Sequence, residues 1–312
     1  MFDAVKQQSR SMFAPIVALS FSAKQEQDCL EFLRKRSENT EIVTLSDESQ
    51  LRLAADGKLA ETGYRFNMLG FLSVSRAICG GLSRVFGDVS GLMSAKLPDS
   101  DSCSIPAAVG IYNIALRTRF ELLRERSLLV DHSNRAIDGF LGLNHKMLDN
   151  AVFLELILTA MREHDAQLQF HRAELVGREL RVYVINPQSR REDIYMPGHV
   201  FSSGWYFCNC EDSGNSIKAL PCLYTKYGVA LEELDKRRRV VHVGADIAGR
   251  TAELIRGVYF RQIDMEALRQ RVVALNGQSL GLESKADFAA RSEEHTSELQ
   301  SRQYLVCRLL LE

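Results

Sequence analysis

The residues best suited to chemistry crowd into one short stretch. Asp131, His132, Asp138, His145, Asp149 and Glu155 bracket a turn and the start of an apolar helix. Two carboxylates and an imidazole can hold Mg²⁺, or act as general acid and base. A metal-dependent enzyme would draw on Asp131, His132 and Asp149, with His132 as the first choice for the base. Each of the three also has a plainer use. Asp149 precedes a helix, where a capping carboxylate contributes about 1 kcal/mol. Asp131 and His132 sit at a turn, where such residues are common.

His199, Cys208, Cys210 and Cys222 form a second set of potential ligands. Zinc prefers four N or S donors in a tetrahedron. A Cys-x-Cys pair on a strand turns both thiols to one face but lacks the knuckle of Cys-x₂-Cys. The plain alternative is small side chains on a sheet, so no metal and no cofactor is expected.

The densest basic run is Lys236, Arg237, Arg238 and Arg239, with Lys226, His242 and Arg250 nearby. Tyr224, Tyr227 and Trp205-Tyr206-Phe207 supply aromatics. Cations beside stacking platforms suit single-stranded nucleic acid, at about 1–3 kcal/mol per stacked base. Lys226 and Lys236 to Arg239 are therefore the candidate nucleic-acid contacts. Against this, Glu232, Glu233 and Asp235 offset much of the charge, as on an ordinary solvated helix end. Trp205 and its neighbours also suit a core on at least one face. No phosphate-binding glycine loop, GxSxG elbow or HExxH helix occurs, which disfavours common nucleotide hydrolases, α/β-hydrolases and zincins.

The last 22 residues, Arg291 to Glu312, are identified as translated sequencing adapter. Arg291–Ser301 match the opening of the common short-read library adapter, and a six-base index and the downstream adapter account for the rest in the same frame. Such segments are set aside before fold is considered. His295 and Cys307 leave the inventory of candidate ligands, and native sequence is expected to end near Ala290. Removing three basic and four acidic residues from the 39 and 40 present leaves 36 of each, a formal charge of zero. A neutral chain does not coat nucleic acid by bulk charge, although a local basic patch stays open.

The remaining composition is that of a globular protein. The apolar Met12–Phe21 stretch contains Pro15 and is far shorter than the ~20 residues that span a bilayer, so no membrane segment is expected. Six cysteines at irregular spacing fit reduced thiols, and a cytoplasmic location.

These residues need elements to position them. Ser22 can cap a helix from Ala23 to Arg36, followed by a strand at Glu41–Leu45. Asp56-Gly57 signals a type I′ hairpin turn. Helices are expected from Asn67 to Ile78, ahead of Gly80-Gly81, and from Pro106 to Thr118, with Val109, Ile111, Ile114 and Ala115 inward. Val85–Ser104 reads as a loop or boundary. Arg126–Asp131 and Ala136–Leu141 form a hairpin around His132–Arg135, and Ala151–Glu163 is a helix capped by Asp149 or Asn150. Leu168–Val176 and Arg178–Ile185 turn at Gly177. His199–Cys208, Ile217–Tyr224 and Val240–Val243 extend the sheet before a helix over Ile247–Leu275. Segregated helices and strands indicate an α+β fold, a mostly antiparallel sheet with flanking helices. The chain divides into an N-terminal α+β region (1–104), a central α+β core (105–245), a helical C-terminal region (246–290) and the adapter-derived tail (291–312).

RSLLVDHSNRAIDGFLGLNHKMLDNAVFLELI, Arg126 to Ile157, resembles the central signature of the phage/plasmid-like family called domain of unknown function 932. The shared pattern is a basic-led strand ending in Asp, a second strand, then an LDN helix start. Gly198–Val229 resembles a later block of that family. It departs at Cys208-Asn209-Cys210-Glu211, where the family carries an SNSE-type turn. It departs again at Thr225-Lys226-Tyr227-Gly228, in place of a Cys-Asn-Gly motif. The likeness spans about residues 65–245 and implies a mobile-element origin, with no activity to carry over. The function expected is a non-enzymatic protein that binds single-stranded nucleic acid or a replication protein. The alternative is the metal-dependent enzyme built on the Asp/His cluster.

Overall fold

A computed structural model describes residues 13–79, 104–163, 168–192, 200–212, 216–225, 228–231 and 239–259. The fold is α+β and mostly antiparallel, as expected, but its strands divide between two sheets.

The larger sheet begins with β1 (Ala18–Ser22). Ser22 and Gln25 close a reciprocal capping box over one 3₁₀ turn, which leads into α1 (Glu26–Glu38). The chain then leaves for the smaller sheet and returns through α4 (Asn150–Glu163). It next forms β6 (Gln169–Val176) and β7 (Glu179–Ile185). The turn between them needs positive φ, which Gly177 supplies at 60°. The short β8 (Arg191–Glu192), β9 (Val200–Cys210), β10 (Ile217–Thr225), β11 (Gly228–Leu231) and β12 (Arg239–Val240) follow. The strand order is β1-β6-β7-β9-β10-β11, with β8 beside β9 and β12 beside β10, and every pair is antiparallel. Period-2 alternation sends Leu180, Val182 and Val184 to the face that also carries Trp205 and Phe207. Cys29, Leu30 and Leu33 of α1 pack there with Phe153, Leu154 and Ile157 of α4. Ile247 and Ile255 of α5 (Ile247–Tyr259) complete this core.

The smaller sheet comprises β2 (Thr40–Thr44), β3 (Arg65–Phe66), β4 (Ser127–Asp131) and β5 (Ala136–Leu141), in the order β2-β4-β5-β3. Its β3–β5 pair is parallel. Helices α2 (Met68–Cys79) and α3 (Ser104–Arg119) cover one face and enclose a second core around Phe66, Phe71, Val74, Tyr112 and Leu116. Close approach of α2 to β5 depends on Gly70, where a Cβ would lie 2.6 Å from the Ile137 carbonyl oxygen.

Two local expectations change. On α3 the inward stripe is Val109, Tyr112 and Leu116, while Ile111 and Ile114 are exposed. Many apolar residues were available, and contact with α2 and with the 3₁₀ turn at Glu48–Leu51 selected one stripe. The Asp56-Gly57 turn is not type I′, because Gly57 has positive φ (79°) and Asp56 does not. Instead, Gly57 N–H donates to the Ala54 carbonyl and Ala54 N–H to the Lys58 carbonyl. This is the longer loop, with one left-handed glycine. The expected boundary at Val85–Ser104 falls outside the described residues except for Ser104, as do the helix expected beyond Tyr259 and the whole adapter-derived tail.

No described helix is long and apolar enough to cross a membrane.

Candidate functional site

The hairpin and LDN helix form as expected, but their acids and histidines face different ways. Asp131 is buried, 1% exposed. It accepts from the backbone N–H of Asn134 (3.1 Å) and from its side-chain amide (2.9 Å), and lies 3.8 Å from Arg36. His132 is exposed at the turn. Its Nε2 meets Glu41 at 2.8 Å and its Nδ1 meets the Tyr64 hydroxyl at 3.1 Å. Asp149 turns back onto its own helix, accepting from Ala151 N–H (2.7 Å) and Val152 N–H (3.3 Å), and also from the Ser37 hydroxyl. The three side chains share no partner. Among the described residues, no group of three or more His, Cys, Asp or Glu side chains is disposed to hold a metal. The Glu41–His132–Tyr64 chain has the carboxylate–imidazole–hydroxyl order that activates a nucleophile, and it also suffices to fasten the exposed hairpin tip.

Asp138 joins a network that the sequence did not reveal. Arg178, at the turn between β6 and β7, is 2% exposed. Its guanidinium meets Asp138 at 3.0 Å and Glu211 at 3.1 Å, and donates to the Thr40 hydroxyl at 2.9 Å. Arg36 of α1 meets Asp138 at 2.9 Å and donates to the Gly177 carbonyl at 2.6 Å. Asn67, ahead of α2, donates to the other Asp138 oxygen at 3.0 Å. Glu211 accepts from the Asn150 N–H at 2.8 Å. The cluster ties the ends of the larger sheet to β5 and α2 of the smaller. Burial works against the Arg178 charge, but Glu211 and Asp138 outweigh it and hold its pKa above normal. Burial pushes the Glu211 carboxyl up, against the pull of Arg178 and the Asn150 amide. Ion pairing keeps Arg178 cationic. In the sequence, Arg36 was one of several cations closing a helix, and Arg178 only followed a turn glycine.

His145 and His242 stack beside this junction, with centroids 4.8 Å apart and ring planes 23° apart. His145 donates from Nε2 to the Glu211 carbonyl and His242 from Nδ1 to the Lys146 carbonyl, each at 3.0 Å. Burial lowers both pKa values, and for His242 the neighbouring His145 adds to that; Asp212 pulls both the other way. Neither ring was expected to find the other, 97 positions away in the chain.

Cys208, Cys210 and Cys222 lie on the face of the larger sheet opposite its helices. Burial raises all three pKa values, to about 11 for Cys208 and about 12 for Cys222, which keeps them as thiols rather than thiolate ligands. His199 lies outside the described residues.

The same face carries the candidate nucleic-acid residues that can be placed. Arg239 pairs in register with Lys218, Lys218 with Cys208, and Cys208 with Arg181. Three cations thus form a row across the strands. Arg181 is held by Glu179 at 2.5 Å, whereas Lys218 and Arg239 have no acidic partner among the described residues. The adjacent row contains Tyr183 and Tyr206, with Tyr224 further along. Trp205 and Phe207 belong to the opposite, core-facing side. Lys226, Lys236, Arg237 and Arg238 lie outside the described residues.

Fold and surface together define a two-sheet α+β protein with one helix-covered and one tyrosine- and cation-bearing face on its larger sheet. No family model matches the chain, and no curated protein or solved structure is significantly similar to it.

Proposed function

We propose that this chain is a non-enzymatic protein that binds single-stranded nucleic acid through the tyrosine-bearing face of the larger sheet. The supporting observation is the row Arg181–Cys208–Lys218–Arg239, which aligns three cations across neighbouring strands about 4.8 Å apart. Such a row can follow a phosphate backbone. Tyr183 and Tyr206 are only 9% and 8% exposed. The reading therefore assigns affinity chiefly to the cations, with stacking secondary. The resemblance read in Arg126–Ile157 extends the proposal to a phage- or plasmid-derived role in the cytoplasm, with a replication protein as a further partner. No comparable observation favours a metal enzyme built on Asp131, His132 and Asp149.

The test is fluorescence anisotropy with a labelled oligothymidine at low salt. Lys218→Gln combined with Arg239→Gln should weaken binding by about tenfold and lower the salt slope by about 1–2. Absence of binding at low salt would remove the proposal.

A further inference from the structure

Three side chains from three segments meet at the turn end of the smaller sheet. Glu41 belongs to β2, His132 to the turn between β4 and β5, and Tyr64 to the segment just ahead of β3. A cleft of about 560 Å³ lies alongside, lined by Phe13, Pro15, Lys58, Gly63, Arg65 and Arg135. Lys58 is engaged there by Asp56 at 2.7 Å, and Arg135 by the Thr62 carbonyl at 3.5 Å.

The three groups are linked in a fixed order. A carboxylate can only accept, so the imidazole Nε2, 2.8 Å from Glu41, carries a proton toward it. In the neutral ring Nδ1 is then the acceptor, and the Tyr64 hydroxyl, 3.1 Å away, donates to it. Glu41 thereby selects the tautomer that can take the phenol's proton. The tyrosine is also held in place. Its ring packs on the second core and lies edge-on to His132, with centroids 5.9 Å apart and planes at 79°. The Arg135 guanidinium stands 5.5 Å from the ring centroid, within cation–π range. The Tyr64 carbonyl accepts from Leu59 N–H at 2.7 Å. The His132 and Glu41 side chains are 44% and 59% exposed, so a reagent in solution can reach the pair. As braces, such exposed contacts contribute little. As an acid–base relay, the same geometry supplies about 10²–10⁴ in rate.

We infer that Tyr64 is a nucleophilic tyrosine and a site of acyl modification, accepting an acyl group from an activated ester. The phenol oxygen bonds to the acyl carbon while the bond from that carbon to its leaving group breaks, and the leaving group departs with that electron pair. The phenol proton passes to His132 Nδ1 and then to the leaving group, so nothing is oxidised or reduced. His132 is the base, and Glu41 is a positioning residue that acts through it. The product is an O-acyl tyrosine on the chain itself. The inference needs no turnover and does not rest on the nucleic-acid face.

Reaction of the full chain with p-nitrophenyl acetate tests this, with peptide mass spectrometry to locate the acetyl group. Tyr64 should react about a hundredfold faster than N-acetyltyrosinamide, the low end of what a placed base supplies. Its rate should rise from about pH 5 to 8, as imidazole loses its proton. Tyr64→Phe should remove the fast phase of p-nitrophenolate release. His132→Gln should bring Tyr64 down to the rate of the free derivative, with the melting midpoint unchanged. Glu41→Gln should slow the reaction about tenfold and displace its pH profile, which loss of a brace would not do. If His132→Gln does not fold, Glu41→Gln decides. Four results would each overturn the site: a Tyr64 rate equal to that of the free derivative, acetyl on lysines in place of Tyr64, a fast phase that survives Tyr64→Phe, or an unaltered rate in folded His132→Gln.

Discussion

The junction between the sheets and the cleft on the smaller sheet use the same residue types in opposite proportion. At the junction, Arg36 and Arg178 face Asp131, Asp138 and Glu211, all buried. In the cleft, Lys58, Arg65 and Arg135 face Asp56. A buried cation is tolerable only when paired, so the junction's charges are committed to holding the chain. An accessible cluster is under no such constraint, because water screens its charges. Burial, not residue identity, separates the two sets of arginines.

Four measurements break or sharpen that contrast. The largest effect is expected from Arg178→Met, which leaves Glu211 buried without its cation. Its cost should be about 3–5 kcal/mol in urea denaturation, at an unchanged slope. A loss below about 1 kcal/mol would show that the junction does not bind the sheets together.

The second effect appears only in acid. Burial holds His145 and His242 below their usual 6.5. The unfolded chain therefore takes up protons first as pH falls. Their stabilising contribution is complete above about pH 6.5 and declines as pH drops toward the lowered folded values. Denaturation midpoints from pH 8 to 5 should show this decline, and His242→Phe should flatten it. An unchanged slope in His242→Phe would place the acid sensitivity elsewhere.

Asp149→Ala removes a helix cap and a contact to Ser37, and should cost about 1 kcal/mol by thermal melting. The same variant bears on the enzyme reading, since a catalytic Asp149 would have to do more than cap α4. Arg135→Asn should move stability least, by no more than about 0.5 kcal/mol. A large stability loss there would erase the distinction between junction and cleft.

Local chemistry was well written in the sequence. The Asp149 cap, the Gly177 turn, the β4–β5 hairpin and the β6–β7 alternation all follow from side chains acting within a few residues of themselves. Capping, positive φ and period-2 patterning need no distant partner, so they could be read from spacing alone. The face of α3 could not, because Ile111 and Ile114 are as apolar as the residues that went inward. The contribution of Lys58, Arg65 and Arg135 to one cleft was equally hidden, since loop residues near 58–65 and a turn at 134–135 meet through the parallel β3–β5 pair and the side chains beside it.

The sequence by itself determined the α+β class and most element positions. Tertiary structure alone decided that the strands form two sheets. It alone placed Asp131 and Asp138 beside Arg36 and Arg178, and brought His145 against His242. These are long-range pairings between charged or aromatic groups. Their energies depend on burial and distance, and neither quantity exists until the chain has closed on itself.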